Sequence, residues 1–144
     1  MCGGVITKEI VTSLIEAADK ARGYAYAPYS CYQVGAALLS ADGSVFTGCN
    51  VENASYGATN CAERTAFFKA ISEGQSQFRA IAIVGGCKGK EIEEFAYPCG
   101  VCRQVMQEFC TPDFTVIVAK GIKDYHQLSL AELLPHGFGG EAIR

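Results

Sequence analysis

The stretch FTVIVAKGIKDYHQL, residues 114–128, decides how the sheet of this protein is connected. Residues 114–119 form an apolar, β-branched run that predicts a buried strand, and residues 124–128 predict another strand. Only a few residues around Gly121 separate the two, which leaves no room for the crossover helix that a parallel pair requires. We therefore expect these last two strands to be antiparallel.

The rest of the chain alternates helical patterns with apolar, strand-like runs. The pair Asp42-Gly43 lies between two such runs and supplies the positive φ that a tight hairpin needs. The predicted elements, in chain order, are a helix between Thr7 and Gly23, strands at 34–39 and 44–50, a helix at 61–73 capped by Asn60, a strand at 79–84, a helix from 99 to about 109, strands at 114–119 and 124–128, and a short helix opened by a capping box at Ser129 and Glu132. This order predicts an α/β fold with three layers, in which a mixed five-stranded sheet carries helices on both faces. The sequence shows no linker, repeat or shift in composition, which predicts a single domain over residues 1–144.

Composition limits the class of function. With 144 residues, of which 49% are apolar and 19% charged, the chain can form one compact core and is not a disordered protein. The net charge is -3 and Lys and Arg form no block, which argues against long nucleic acid as a partner. The longest apolar run, residues 80–84, is far shorter than a membrane span, and no leader pattern opens the sequence. We expect a cytoplasmic protein that binds a small molecule.

The cysteines point to a metal. There are eight of them, and a reducing compartment keeps thiols free for metal binding or catalysis. Cys99 and Cys102 form a C-x-x-C step at the start of a predicted helix, and Cys61 begins another helix. Three thiolates of this kind leave the fourth position of a tetrahedral zinc ion open, which indicates a catalytic rather than a structural site. Glu63 follows Cys61 closely enough to act as a general acid and base beside the metal.

Each of these residues also has a plainer interpretation. A structural zinc site would need a fourth Cys or His, and His126 and His136 lie outside any ligand-spaced motif. Taken alone, Glu63 is a helix-capping carboxylate, Asn50 and Glu52 are turn residues, Arg64 is a solvated helix residue and Phe138 is an ordinary aromatic. The other five cysteines, Cys2, Cys31, Cys49, Cys87 and Cys110, are assigned no role.

Together, these motifs resemble a known family. The chain is similar to the small, homotetrameric, zinc-dependent cytidine deaminases, and the resemblance extends from Tyr29 through Phe138. The matching segments are Ala27-Pro28-Tyr29-Ser30, residues 34–39 (VGAALL), residues 48–54 (GCNVENA), residues 61–66 (CAERTA), residues 98–104 (PCGVCRQ), and Leu133-Leu134-Pro135 with Phe138.

The resemblance implies a metal and a proton shuttle. Cys61, Cys99 and Cys102 would hold one Zn²⁺ per subunit, and its fourth ligand would be the water that attacks C4 of cytosine. Glu63 would take the proton of that water, protonate N3 of the ring and help ammonia leave. Arg64 would donate hydrogen bonds to the ligand sulfurs and so withdraw some of their negative charge.

The resemblance also implies the residues that hold the substrate. Asn50 and Glu52 would bind the ribose hydroxyls, Tyr32 and Ala62 would contact the nucleoside, and Phe138 would reach the active site of a neighbouring subunit in a homotetramer. Two positions depart from the family pattern. Tyr32 stands where Phe is common, and Tyr97 stands before Pro98 where a smaller residue or Pro is usual.

The expected function is zinc-dependent hydrolytic deamination of cytidine and 2′-deoxycytidine to uridine and 2′-deoxyuridine, with release of ammonia, in pyrimidine salvage. A deaminase of another cytosine-containing small molecule, such as a nucleoside antibiotic, is the alternative. A deaminase acting on polynucleotides is disfavoured by the charge and by the short connection at Gly121, and a nucleotide deaminase by the lack of a phosphate cradle. A zinc scaffold whose catalysis has lapsed would not need Glu63.

Overall fold

The computed structural model describes residues 5–143, so Cys2, which has no assigned role, lies outside the described residues. Within that range the predicted order of helices and strands is confirmed. The elements are α1 (Lys8–Arg22), β1 (Tyr32–Ser40), β2 (Val45–Cys49), α2 (Ala62–Ser72), β3 (Phe78–Cys87), α3 (Gly100–Phe109), β4 (Thr115–Gly121), β5 (Asp124–Ser129) and α4 (Leu130–Leu133). None of the helices in the described range is long and apolar enough to cross a membrane.

The five strands form one mixed sheet in the order β2-β1-β3-β4-β5. The pair β3 and β4 is parallel, and the other three pairs are antiparallel. The hairpin of β4 and β5 pairs Thr115 with Ser129 and Gly121 with Asp124, which confirms the antiparallel pair that the short connection predicted. Capping residues also match the sequence analysis at both ends of the chain: the Thr7 side chain caps α1, and Ser129 and Glu132 form the capping box of α4.

Helices cover both faces of the sheet, as predicted. Helix α1 packs on one face, where its buried side chains Val11, Leu14, Ile15 and Ala18 meet the side chains of β1, β3 and β4. Helices α2, α3 and α4 cover the other face around a second cluster that is centred on the fully buried Phe67. The edge-to-face contact of Phe67 with Phe78, at a centroid distance of 5.1 Å, ties α2 to the start of β3. The second face is the one on which the helices that carry the cysteine motifs begin.

Gly35 allows α1 to lie directly against β1. A Cβ atom at Gly35 would lie 1.9 Å from the carbonyl oxygen of Ala18 and 2.5 Å from the backbone nitrogen of Arg22. Helix backbone and strand backbone therefore touch at this point, which only glycine permits. At the hairpin between β1 and β2, Gly43 has φ +93°, as expected for the Asp-Gly turn.

Two local predictions were wrong. Asn60 does not cap α2: Cys61 is the N-cap residue, and the Asn60 amide instead donates to the hydroxyl of Thr65 at 3.0 Å. Strand β3 does not end before Gly85 but runs to Cys87, because Gly85 and Gly86 pair with Val34 and Gln33 of β1. The neighbouring strand overrides the weak strand preference of the two glycines.

Candidate metal centre and active site

Two helix N-termini bring three sulfur atoms together. Cys61 is the N-cap residue of α2, Cys99 is the N-cap residue of α3, and Cys102 lies in the first turn of α3. The Sγ atoms of Cys61 and Cys99 are 3.7 Å apart, those of Cys99 and Cys102 are 3.4 Å apart, and all three lie within 4.8 Å of one another. Tetrahedral Zn–S bonds of about 2.3 Å require sulfur atoms about 3.8 Å apart, so this donor set fits zinc.

The electrostatics of the three thiols favour a bound cation. The pKa of the Cys61 thiol is lowered to about 5, chiefly by the hydrogen bond from Cys102 and further by those from Arg64 and Cys99. The pKa of Cys102 is raised by its hydrogen bond to Cys61 and by its burial. The lowered pKa of Cys61 favours the thiolate that zinc requires, and a bound cation would displace the proton that Cys102 holds.

Glu63 lies beside this cluster and is buried, with 5% of its surface exposed. Burial raises the pKa of its carboxyl group to about 7, and the negative charge of Cys61 adds to the increase. A carboxyl group with a pKa near neutrality can both accept and return a proton at physiological pH. The arrangement therefore places a carboxyl group that can exchange a proton near neutral pH next to a cluster that can hold a metal ion.

Arg64 contacts the cluster from the following position of α2. Its Nη2 atom donates to the Sγ of Cys61 at 3.2 Å. The guanidinium Nε atom is buried and has no hydrogen-bond partner in the described part of the chain. Within the described residues, the guanidinium group of Arg64 therefore contacts the cluster through Nη2, while its Nε makes no hydrogen bond.

Replacing Arg64 with Met is expected to weaken zinc binding about tenfold, because removing a hydrogen-bond partner of a metal ligand has effects of this size. The measurement is the zinc affinity of the purified variant in competition with a chelator. Arg64→Lys keeps the charge but not the forked donor, so its zinc affinity should lie between those of wild type and Arg64→Met. An unchanged affinity in Arg64→Met would show that the contact with Cys61 contributes nothing to metal binding.

A cavity of about 360 Å³ adjoins the cluster. It is lined by Tyr32, Asn50, Ala62 and Glu63, which were predicted from the sequence as site residues, together with Cys61 and Cys99. The other residues in its wall are Val34, Thr59, Ile83, Phe95, Ala96 and Tyr97. Phe95 and Ala96 were missed because they belong to a loop without any periodic pattern.

Asn50 is held in the cavity wall by the backbone of β1. Its Oδ1 accepts a hydrogen bond from the Val34 amide at 2.8 Å, and its Nδ2 donates to the Tyr32 carbonyl at 2.8 Å. An amide group can make further bonds with its second lone pair and its second hydrogen. Asn50 therefore has both a fixed orientation and spare capacity for a ligand.

Glu52 lies in a neighbouring cavity of about 360 Å³ rather than in the wall of the first. Thr59 lines both cavities, which makes them adjacent. The Glu52 carboxylate accepts hydrogen bonds from the amides of Tyr29 and Ser30, at 3.0 and 3.1 Å, and from the Ser30 hydroxyl. The bond from the Ser30 hydroxyl, with help from the two amides, lowers the pKa of Glu52, so the group is ionised at neutral pH.

Among the described residues, Phe138 is the one predicted site residue that neither lines one of the two cavities nor contacts the cysteine cluster. Its side chain is 63% exposed, and its carbonyl accepts a hydrogen bond from the Gln104 amide at 3.0 Å. Within a single chain the structure therefore does not bring Phe138 to the cysteine cluster.

Comparisons with known proteins agree with this geometry. Residues 8–118 match the family described as the cytidine and deoxycytidylate deaminase zinc-binding region. A cytidine deaminase of Halalkalibacterium halodurans is 52% identical over 128 residues, which are 89% of this chain and 93% of that protein. One from Sporosarcina psychrophila is 47% identical over 133 residues, or 92% of this chain and 94% of that protein.

A solved structure is similar to this chain at a comparable level of sequence identity. The crystal structure of a cytidine deaminase from Burkholderia pseudomallei superposes with a TM-score of 0.78 at 51% identity, covering 88% of this chain and 97% of the other. The family region includes the cysteine cluster and the buried Glu63, and the two relatives have nearly the same length as this chain. This chain belongs to the zinc-binding family of cytidine and deoxycytidylate deaminases.

Proposed function

We propose that this protein deaminates cytidine and 2′-deoxycytidine hydrolytically, giving uridine or 2′-deoxyuridine and ammonia, as a step of pyrimidine salvage. The observation that carries the proposal is the buried Glu63 beside three sulfur atoms that can hold a metal with one position open. Glu63, Cys61 and Cys99 line a cavity of about 360 Å³, within the range of small-molecule sites. The relatives named cytidine deaminases support the same reaction.

Glu63 is proposed to move the protons. Zinc held by Cys61, Cys99 and Cys102 would supply a Lewis acid that makes water nucleophilic at neutral pH. The Glu63 carboxylate accepts the proton of the attacking water and delivers it to N3 of the cytosine ring. It then assists the transfer of a proton to the amino group on C4, which leaves as ammonia. A pKa of about 7 suits this double role, because the group can exist in either protonation state at physiological pH.

The sugar is proposed to lie where the two cavities meet. Asn50 retains a free donor and a free acceptor, and Glu52 retains an acceptor site, which suits hydroxyl groups that both donate and accept. Tyr32 and Ala62 are proposed to contact the nucleoside from the wall of the first cavity. A deaminase of a cytosine-containing antibiotic would not require this pair of hydroxyl-binding residues.

We propose a homotetramer in which Phe138 completes the active site of a neighbouring subunit. A phenylalanine that is 63% exposed leaves apolar surface in water, which contact with another subunit would remove. The proposed location is the cytoplasm, because a reducing compartment preserves the free thiols that the metal centre requires.

Replacing Phe138 with Ala is expected to raise the KM for cytidine about tenfold while kcat changes less, since the lost contact would act on binding. Steady-state kinetics and the mass of the assembly in solution would measure the effect. Ile122→Ala removes a half-exposed apolar side chain between β4 and β5 and serves as the control. Wild-type KM and wild-type assembly in Phe138→Ala would contradict the role across subunits.

The function itself is tested by ultraviolet-monitored turnover of cytidine, CMP and a short single-stranded oligonucleotide, together with zinc content per chain. We expect turnover of cytidine and about one zinc per chain, as one three-thiolate site requires. Zinc without turnover of cytidine would favour another cytosine-containing small molecule. Absence of zinc would overturn the mechanism.

A further inference from the structure

One wall of the active-site cavity is formed by the long irregular loop between β3 and α3. The loop covers residues 88–99 and supplies Phe95, Ala96, Tyr97 and Cys99 to the cavity. The position of this loop therefore determines the shape of the cavity next to the metal-binding sulfurs.

The backbone of the loop has few attachments of its own. Its first residues are tied down by hydrogen bonds from the amide of Lys88 to Cys31 and from the amide of Lys90 to Cys87, at 2.8 and 3.2 Å. At its other end, the Pro98 carbonyl accepts a hydrogen bond from Arg103 at 2.8 Å. Between these points, residues 91–97 make no backbone-to-backbone hydrogen bond within the described range. Side chains must hold this part of the loop in place.

Phe95 packs against the core, as do Ala96 and Ile92, and it is also attached to a neighbouring hairpin. Its ring meets the ring of His126 edge to face, with centroids 4.4 Å apart and an angle of 83° between the planes. The Nζ atom of Lys120 lies 4.7 Å from the centroid of the same ring. One aromatic side chain of the loop is thus held by a cation and by a second ring.

Both partners belong to the β4–β5 hairpin. His126 pairs with Val118 in the ladder, and Lys120 lies at the irregularity between Ala119 and Gly121. Irregularities of this kind redirect side chains and often occur near active sites. The loop is therefore anchored to a hairpin that contributes no residue to the cavity itself.

We propose that Lys120 and His126 are positioning residues, which fix Phe95 and through it the wall of the substrate cavity. This inference deepens the proposed function, since the cavity is taken to be the nucleoside site. Removing the two contacts should loosen the loop and weaken substrate binding, but should leave the zinc ligands and Glu63 unchanged. The effect belongs to KM rather than to kcat.

The test uses the zinc-loaded enzyme and single and double replacements. Lys120→Met and His126→Ala are each expected to raise the KM for cytidine about threefold, as suits one exposed contact to an aromatic ring. The double variant should raise KM about tenfold with kcat within about twofold of wild type. Lys120→Arg and His126→Phe keep the cation and the ring, so they should retain the wild-type KM. Lys123→Met removes an exposed lysine from the same hairpin and is the matched control.

A second measurement does not depend on turnover. Amide hydrogen exchange in a peptide spanning residues 88–98 should be faster in the double variant than in wild type, while exchange in α2 and β3 stays unchanged. If KM and loop exchange in the double variant equal those of wild type, the proposal is wrong. It is also wrong if Lys120→Arg behaves like Lys120→Met. If wild type does not turn over cytidine, the proposed function fails, and loop exchange alone then decides whether the attachment exists.

Discussion

Replacing Glu63 with Gln is expected to lower kcat for cytidine about a thousandfold, within the range of effects for loss of a general acid and base. The amide has the size of the carboxyl group but cannot accept and return a proton. Glu63 is buried beside the cysteine cluster, so bulk water does not readily take its place. Steady-state kinetics of the zinc-loaded variant measure the loss.

Zinc content and thermal stability provide the controls for Glu63→Gln. The folded-state pKa of about 7 lies above the ordinary value of 4.5, so ionised Glu63 costs stability. That cost grows as the pH rises from 4.5 to about 7 and is complete above it. At pH 8 the metal-free variant should therefore melt no lower than wild type. Glu73→Gln changes an exposed carboxylate just after α2 and should leave kcat unchanged. A Glu63→Gln enzyme with undiminished kcat would disprove the proton shuttle.

Replacing Gly35 with Ala is expected to destabilise the fold by about 3 kcal/mol or more, at the upper end of the cost of overpacking. The new Cβ would lie 1.9 Å from the Ala18 carbonyl oxygen and 2.9 Å from the Arg22 Cα. These atoms are backbone of α1, so no side chain can rotate away and the whole helix must shift. For a domain of this size, the melting temperature should fall by roughly 10 °C.

Thermal unfolding of the variant beside Gly57→Ala tests this prediction. A Cβ at Gly57 would meet no atom within 4 Å, so this control should melt close to wild type. If Gly35→Ala also melts within about 2 °C of wild type, a shift too small for overpacking, α1 and β1 can separate at little cost.

The sequence was informative where chain length or local spacing leaves few options. The connection at Gly121 excluded a crossover helix, so the antiparallel pairing of β4 and β5 could be predicted. The C-x-x-C step placed Cys99 and Cys102 one helical turn apart, whatever the rest of the fold.

Features that depend on tertiary contacts could not be predicted. Gly85 and Gly86 are poor strand residues by propensity, yet the ladder with β1 keeps them in β3. Phe95 lies in a loop without periodicity, and tertiary contacts, with the core and with Lys120 and His126, place it in the cavity wall. The resemblance suggested hydroxyl binding for Asn50 and Glu52 but gave no sign that both side chains also hold backbone.

Asn50 and Glu52 both hold backbone and are proposed to bind the sugar. This double role constrains how the substrate preference of such an enzyme changes during evolution. Asn50 fixes the start of β1, and Glu52 fixes the turn at Tyr29 and Ser30. Any mutation that removes either side chain takes a protein partner from backbone donors as well as altering contacts to a sugar, which costs stability. Selection for nucleosides with altered sugars should therefore spare these two positions and collect its first changes in neighbouring residues such as Tyr56, whose exposed side chain lines the second cavity.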